Sequence, residues 1–252
     1  MNSIMDDESI YERIQDIFGH FPENLNILEE QIDVGLQTEY FEFSRNFREN
    51  NRPDAVPAIT GSLNDKGTSI QSKKELLVQL ATIEEVEAYR AIESYLKNPD
   101  AELRNWAILA FQESRMLLQS KFLDENQVFI STGLGGKGSK LRYFVVLVSS
   151  FGTSFTGFQQ KLVRAEFEFS LKRFDAELET TEFIENFCSL MVMVPINVPI
   201  RNVFKSAIAE CNQYGGFIRP DFIVTNVKKL STPEIREFIS KQRGKGENPD
   251  KD

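Results

Sequence analysis

Residues 128–150, VFISTGLGGKGSKLRYFVVLVSS, constrain this chain more than any other stretch. Two apolar runs, VFI and YFVVLV, flank a segment in which Gly133, Gly135, Gly136 and Gly138 lie close together. Aromatic and β-branched runs on either side of glycine-rich turn chemistry predict a β-hairpin. Lys137, Lys140 and Arg142 give that hairpin a basic tip. Helical periodicity dominates upstream, and short β-rich runs alternate with helical ones downstream.

Upstream, residues 6–18 place Ile10, Ile14, Ile17 and Phe18 on one side of an amphipathic helix behind an acidic first turn. A second helical segment is expected over 23–49, with Leu25, Leu28, Ile32, Leu36, Phe43 and Phe47 on its apolar side. YFEF at 40–43 is alternatively a short extended piece. Residues 50–71 carry two prolines, two glycines and many small polar residues, the composition of a loop or linker.

From residue 72 the helical signal sharpens. Thr82 with Glu85 fits a capping box, followed by Ile83, Val86, Tyr89, Ile92 and Leu96 on one face. Asn98-Pro99 ends that helix and opens another over 99–122, with Leu103, Trp106, Ala107, Ala110, Phe111, Leu117 and Leu118. Asn98, Pro99, Asp100, Leu103, Arg104, Ala107 and Ala110 occupy the places of a D-P-x-x-x-[VL]-R-x-x-A-like run. On those residues the hairpin over 72–122 resembles a HEAT-type helical repeat. No second copy recurs at a period near 40, and solenoids of such repeats need about three to bury a continuous core. The resemblance therefore implies one helical pair packed on the rest of the chain.

Downstream, Thr156 and Gln159 fit a capping box, with Phe158, Leu162, Ala165 and Phe169 as a helical stripe reaching about residue 177. Residues 163–171 also alternate with period two, a strand pattern, but the long run without a turn signal favours helix. CSLMVMVPI at 188–196 has the apolar density of a buried strand closed by Pro195. A helix over 199–213, a strand over 217–227 and a helix from Thr232 to about Gln242 complete the reading. The fold class is thus α/β (α+β): a helical N-terminal region, then a small mixed β-sheet domain of order β-β-α-β-α-β-α. The expected divisions are 1–49, a linker at 50–71, the hairpin at 72–126, the sheet domain at 127–242 and a disordered tail at 243–252.

Composition removes function classes. The net charge of −9 is uneven: residues 1–126 hold 12 Lys/Arg against 24 Asp/Glu, and residues 127–252 hold 17 against 14. The acidic half repels phosphate, and the mildly basic half permits nucleic acid as a partner. One histidine, His20, and two cysteines, Cys188 and Cys211, supply neither a nucleophile–base set nor a zinc spacing. GLGGKGSK at 133–140 fails the G-x-x-x-x-G-K-[ST] pattern, because Ser139-Lys140 follows Gly138 and a strand replaces the expected helix. No catalytic residue, metal ligand or cofactor site is assigned; Lys137, Lys140 and Arg142 are the candidate anion or nucleic-acid contacts. An acid-rich start and no apolar run of about 18 residues point away from export and from the membrane. The expectation is a cytoplasmic, non-enzymatic protein-binding or adaptor protein. The alternatives are an RNA- or ribosome-associated factor using the basic tip, and a carboxylate-dependent enzyme whose acids meet only in the fold.

Overall fold

The computed structural model describes residues 25–124 and 127–245. The helix expected over 6–18, His20 and the tail beyond 245 lie outside them. The chain forms two compact units, one ending at Ser131 and the other beginning at Thr132.

The first unit is helical. It contains β1 (Leu25–Ile27), α1 (Val34–Asn50), α2 (Val56–Asn64), α3 (Ile70–Thr82), α4 (Val86–Leu96), a 3-10 turn (Ala101–Leu103), α5 (Arg104–Leu123) and β2 (Val128–Ile130). Helices α3 and α4 pack against α5 around Leu77, Ala81, Ile92, Leu103, Trp106 and Ala110. The segment expected as helix over 23–49 divides at Asp33, whose carboxylate accepts from the Leu36 N–H and starts α1 there. The expected loop at 50–71 contains α2 instead. Proline at the first turn is compatible with a helix start, and Ile59 and Leu63, one turn apart, are both buried.

Two expected caps in the helical hairpin are replaced. Thr82 Oγ1 donates to the Gln79 carbonyl at 2.9 Å, and Glu85 itself occupies the cap position of α4 without a side-chain bond. The helix expected from residue 99 begins at Arg104, after the 3-10 turn. The Asp100 carboxylate turns away from that turn's N–H groups to meet Lys73 and Tyr95.

The second unit contains β3 (Gly136–Lys137), β4 (Lys140–Ser149), α6 (Gly157–Lys172), β5 (Glu177–Ile184), β6 (Phe187–Pro195), α7 (Ile200–Asn212), β7 (Ile218–Thr225) and α8 (Thr232–Lys245). The long strands lie in the order β5-β6-β4-β7 with antiparallel neighbours, and β3 pairs with the start of β4. The path β4-α6-β5-β6-α7-β7 in that order is the ferredoxin-like split βαβ pattern. The chain is α/β with its helical region N-terminal, and β3 and β5 are added to the expected strand order.

The predicted hairpin has different partners. Val128–Ile130 pairs in parallel with Leu25–Ile27, leaving Gly136–Lys137 to turn back onto β4. Lys137 stands opposite Lys140, and Gly138 takes φ +60 in the two-residue turn between them. Strand β5, ELETTEFI, lies at the end of the strand order and is largely exposed, so it lacks the apolar density that marks β6.

Both faces of the central strands are covered. Val145 and Leu147 of β4, with Cys188, Leu190, Val192 and Val194 of β6, meet α6 and α7. Phe144, Val146 and Val148, with Phe187, Met191 and Ile223, meet Ile235 and Ile239 of α8. Double burial explains why these strands read as continuous apolar runs. Phe204 of α7 is fully buried with its ring 5.2 Å from Phe167 and 5.4 Å from Phe222. Phe204→Ala is expected to cost about 3–5 kcal/mol, measured as a fall in the urea midpoint; a change below about 1 kcal/mol would mean that the two helices do not share one core over the sheet.

Candidate interaction surface

The three basic residues predicted at the tip lie together at the β3–β4 turn, but acids face two of them. Lys140 Nζ is 2.8 Å from Glu177 and 3.3 Å from Asp175. Arg142 holds Glu179 through Nε at 2.7 Å and a terminal nitrogen at 2.9 Å, and donates to the Leu134 carbonyl at 2.8 Å. The bond to Glu177, foremost, raises the Lys140 pKa. Two cations thus meet three carboxylates, and among the described residues Lys137 has no ion pair. The glycine run is also committed internally, since Leu134 N–H donates to the Asn226 carbonyl and Gly135 N–H to Thr132. These N–H groups are already used in holding the loop, which weakens an anion-cradle reading.

Two carboxylates of the helical unit, Glu113 and Asp100, gather side-chain donors into knots, whereas buried Gln112 Oε1 and Ser114 Oγ have no hydrogen-bond partner among the described residues. Glu113 accepts from the Tyr40 hydroxyl at 2.7 Å and from Ser44 Oγ at 2.7 and 2.9 Å, with Arg48 at 3.3 Å. Burial, then the neighbouring Glu113 charge, raises the Tyr40 phenol well above its ordinary pKa. Asp100 accepts from Lys73 and from the Tyr95 hydroxyl, each at 2.7 Å. The Lys73 bond, foremost, holds the Asp100 carboxyl below its usual range, while burial pushes Tyr95 up to about 12. These contacts tie helices together. Cys188 and Cys211 are buried, and desolvation raises both thiols, Cys211 to about 12, far from the thiolate a nucleophile requires. Among the described residues, no group of three or more His, Cys, Asp or Glu is placed to hold a metal ion.

Helix α6 offers a different kind of feature. Its capping box forms as the sequence predicts, with Gln159 Oε1 accepting from Thr156 N–H at 2.8 Å. Its core face is Val163, Phe167, Ser170 and Leu171. The apolar stripe read from sequence lies about half a turn away; it faces outward except at Leu162, which packs partly against the same core. Phe158 and Phe169 are each 64% exposed, Ala165 is exposed and Leu162 is half-buried. Phe151 before the helix and Phe174 after it are also exposed. The two sides of the stripe differ: Glu166 is half-buried and close enough to Cys211 of α7 to raise its thiol pKa, whereas Lys161 and Glu168 are exposed. Arg164, on the latter side, lies over the Phe183 ring of β5 at 5.5 Å. A helix apolar on two opposite sides, with one side wet, has the pattern of an interaction face.

No protein-family model and no curated protein matches the sequence. A solved structure of a protein proposed to be a transposase, from Deinococcus radiodurans R1, is similar at 16% identity and a TM-score of 0.36. The similarity covers 42% of this chain and 94% of that one. No helix among the described residues is long and apolar enough to cross a membrane.

Two outcomes test the knots. Glu113→Ala leaves the Tyr40 and Ser44 hydroxyls buried without their acceptor, at an expected cost of about 1–3 kcal/mol for each, read by chemical denaturation. Lys73→Met should raise the Asp100 pKa toward that of an ordinary carboxylate, seen in a carbon-detected NMR titration. Because the folded Asp100 pKa is depressed, the Lys73 contact stabilises the fold above the ordinary carboxylate pKa, and its contribution is lost as pH falls through the folded value. The stability difference between wild type and Lys73→Met should therefore shrink over that acid range.

Proposed function

We propose that this chain is a non-enzymatic protein-binding module that docks through the outward face of α6. The observation carrying this reading is the exposure of Phe158 and Phe169, about three turns apart on one side of a helix whose opposite side is already anchored in the core. Leaving two phenylalanine rings in water forgoes hydrophobic stabilisation that a partner's surface would supply. The buried, protonated thiols and the satisfied carboxylates favour binding over catalysis. A reducing cytoplasmic compartment belongs to the same reading, supported by Cys188 and Cys211 as free thiols.

The nucleic-acid alternative through Lys137, Lys140 and Arg142 draws less support, because Asp175, Glu177 and Glu179 oppose phosphate at that tip. A carboxylate-dependent enzyme is supported by no cluster among the described residues.

A photo-crosslinking phenylalanine analogue in place of Phe158 or Phe169, in the full chain within its own cells, should give protein adducts on irradiation. The same analogue at exposed Lys205 on α7 should give none. Equal adducts at all three positions, or none at 158 and 169, would refute docking through this face.

A further inference from the structure

We infer that the occupant of the α6 face is the α6 of a second copy, packed antiparallel across a two-fold axis. This rests on the docking reading above and adds to it the identity and register of the partner. Phe158, Leu162, Ala165 and Phe169 follow one another at spacings of four, three and four residues, the spacing of a helix–helix seam. Turned antiparallel on itself, the stripe has one register that buries all four: Phe158 against Phe169 of the second copy, and Leu162 against Ala165. Large rings then meet at the two ends, while the small Ala165 lets the helices approach closely at the centre.

The charges select the same arrangement. Lys161 and Glu168 lie seven residues apart, hence on one side of the seam, and both are exposed. In an antiparallel pair related by a two-fold axis, like flanks meet, so each Lys161 lies beside Glu168 of the other copy and the attraction forms twice. A parallel pair would instead bring this flank against the other one. That flank is drawn toward α7, where Glu166 is half-buried near Cys211. The flank carrying exposed Lys161 and Glu168, whose Arg164 lies over Phe183 of β5, is thus the one that complements itself.

Helix α6 has 16 residues, about 24 Å of length, which with Phe151 and Phe174 makes an interface at the small end of specific ones. The association is accordingly expected to be reversible, with a dissociation constant on the order of 10 µM. Sedimentation equilibrium of the full chain between about 1 and 200 µM should show the mass rising from one chain toward two. F158D/F169D should remain monomeric throughout. K161E and E168K should each weaken association about tenfold, and K161E/E168K should restore it, because the reversed charges again face their opposites. Thermal melts of all four variants should match wild type within a few degrees, since the substituted side chains are exposed.

A monomer at every concentration overturns the inference, as does a double charge reversal that stays as weak as the single ones, or an F158D/F169D variant that still dimerises. Crosslinked adducts at position 158 composed solely of a different protein would also overturn it, while leaving the docking reading intact. Absence of adducts at 158 and 169 would refute both.

Discussion

The second unit depends on the pairing of β4 with β6, which runs from Lys140 opposite Pro195 to Val148 opposite Phe187. Because both strands are apolar on both faces, neither can sit at a surface. Each demands a layer on either side: α6 and α7 bury Val145, Leu147, Leu190 and Val192, and α8 buries Phe144, Val146 and Met191. The remaining strands extend this pair, β7 on the outer side of β4 and β5 on the outer side of β6. Burial by α8 also consumes the sheet face that would otherwise be open. Ile235 and Ile239 occupy that face.

The helical unit is held by a different device. Its apolar core surrounds Trp106, whose indole N–H donates to the Lys74 carbonyl at 3.1 Å. Around that core, Glu113 and Asp100 each collect two side-chain donors from other parts of the unit. The buried Glu113 carboxylate with its partners in place fixes how helices sit in register, since any slip would strand a charge away from water, whereas the Asp100 side chain is 40% exposed. At Asp100, which precedes the 3-10 turn without capping it, the carboxylate serves a partner 27 residues earlier.

Helix α6 is anchored in its unit mainly through one side. Val163, Phe167 and Leu171 are buried in the core and Leu162 packs partly against it, while Phe158 and Phe169 stand mostly in solvent. The basic turn at 137–142 shows the reverse. Side chains that look available for an external anion are engaged by Asp175, Glu177 and Glu179 of the same unit. Local sequence marked both places as unusual, and the fold exchanged their expected roles: the apolar stripe meets solvent, and the charged tip is largely neutralised within the unit.

Features whose cause lies within a few residues were determined by sequence alone. The doubly buried run at 188–195, the inward face of α7 at Ile200, Val203, Phe204, Ala207, Ile208 and Cys211, and the Thr156–Gln159 capping box depend on burial density, helical spacing and one local hydrogen-bond exchange. Features that depend on a distant partner were decided by tertiary structure. Val128–Ile130 carried no sign that its mate was Leu25–Ile27, because parallel pairing leaves no turn signature between the strands. Strand β5 was hidden because an exposed strand at the end of a sheet needs little apolar density. The two apolar sides of α6 were indistinguishable by period, since Val163/Phe167 and Phe158/Phe169 both recur at helical spacing. Only the position of the sheet decided which side was buried and which was left in solvent.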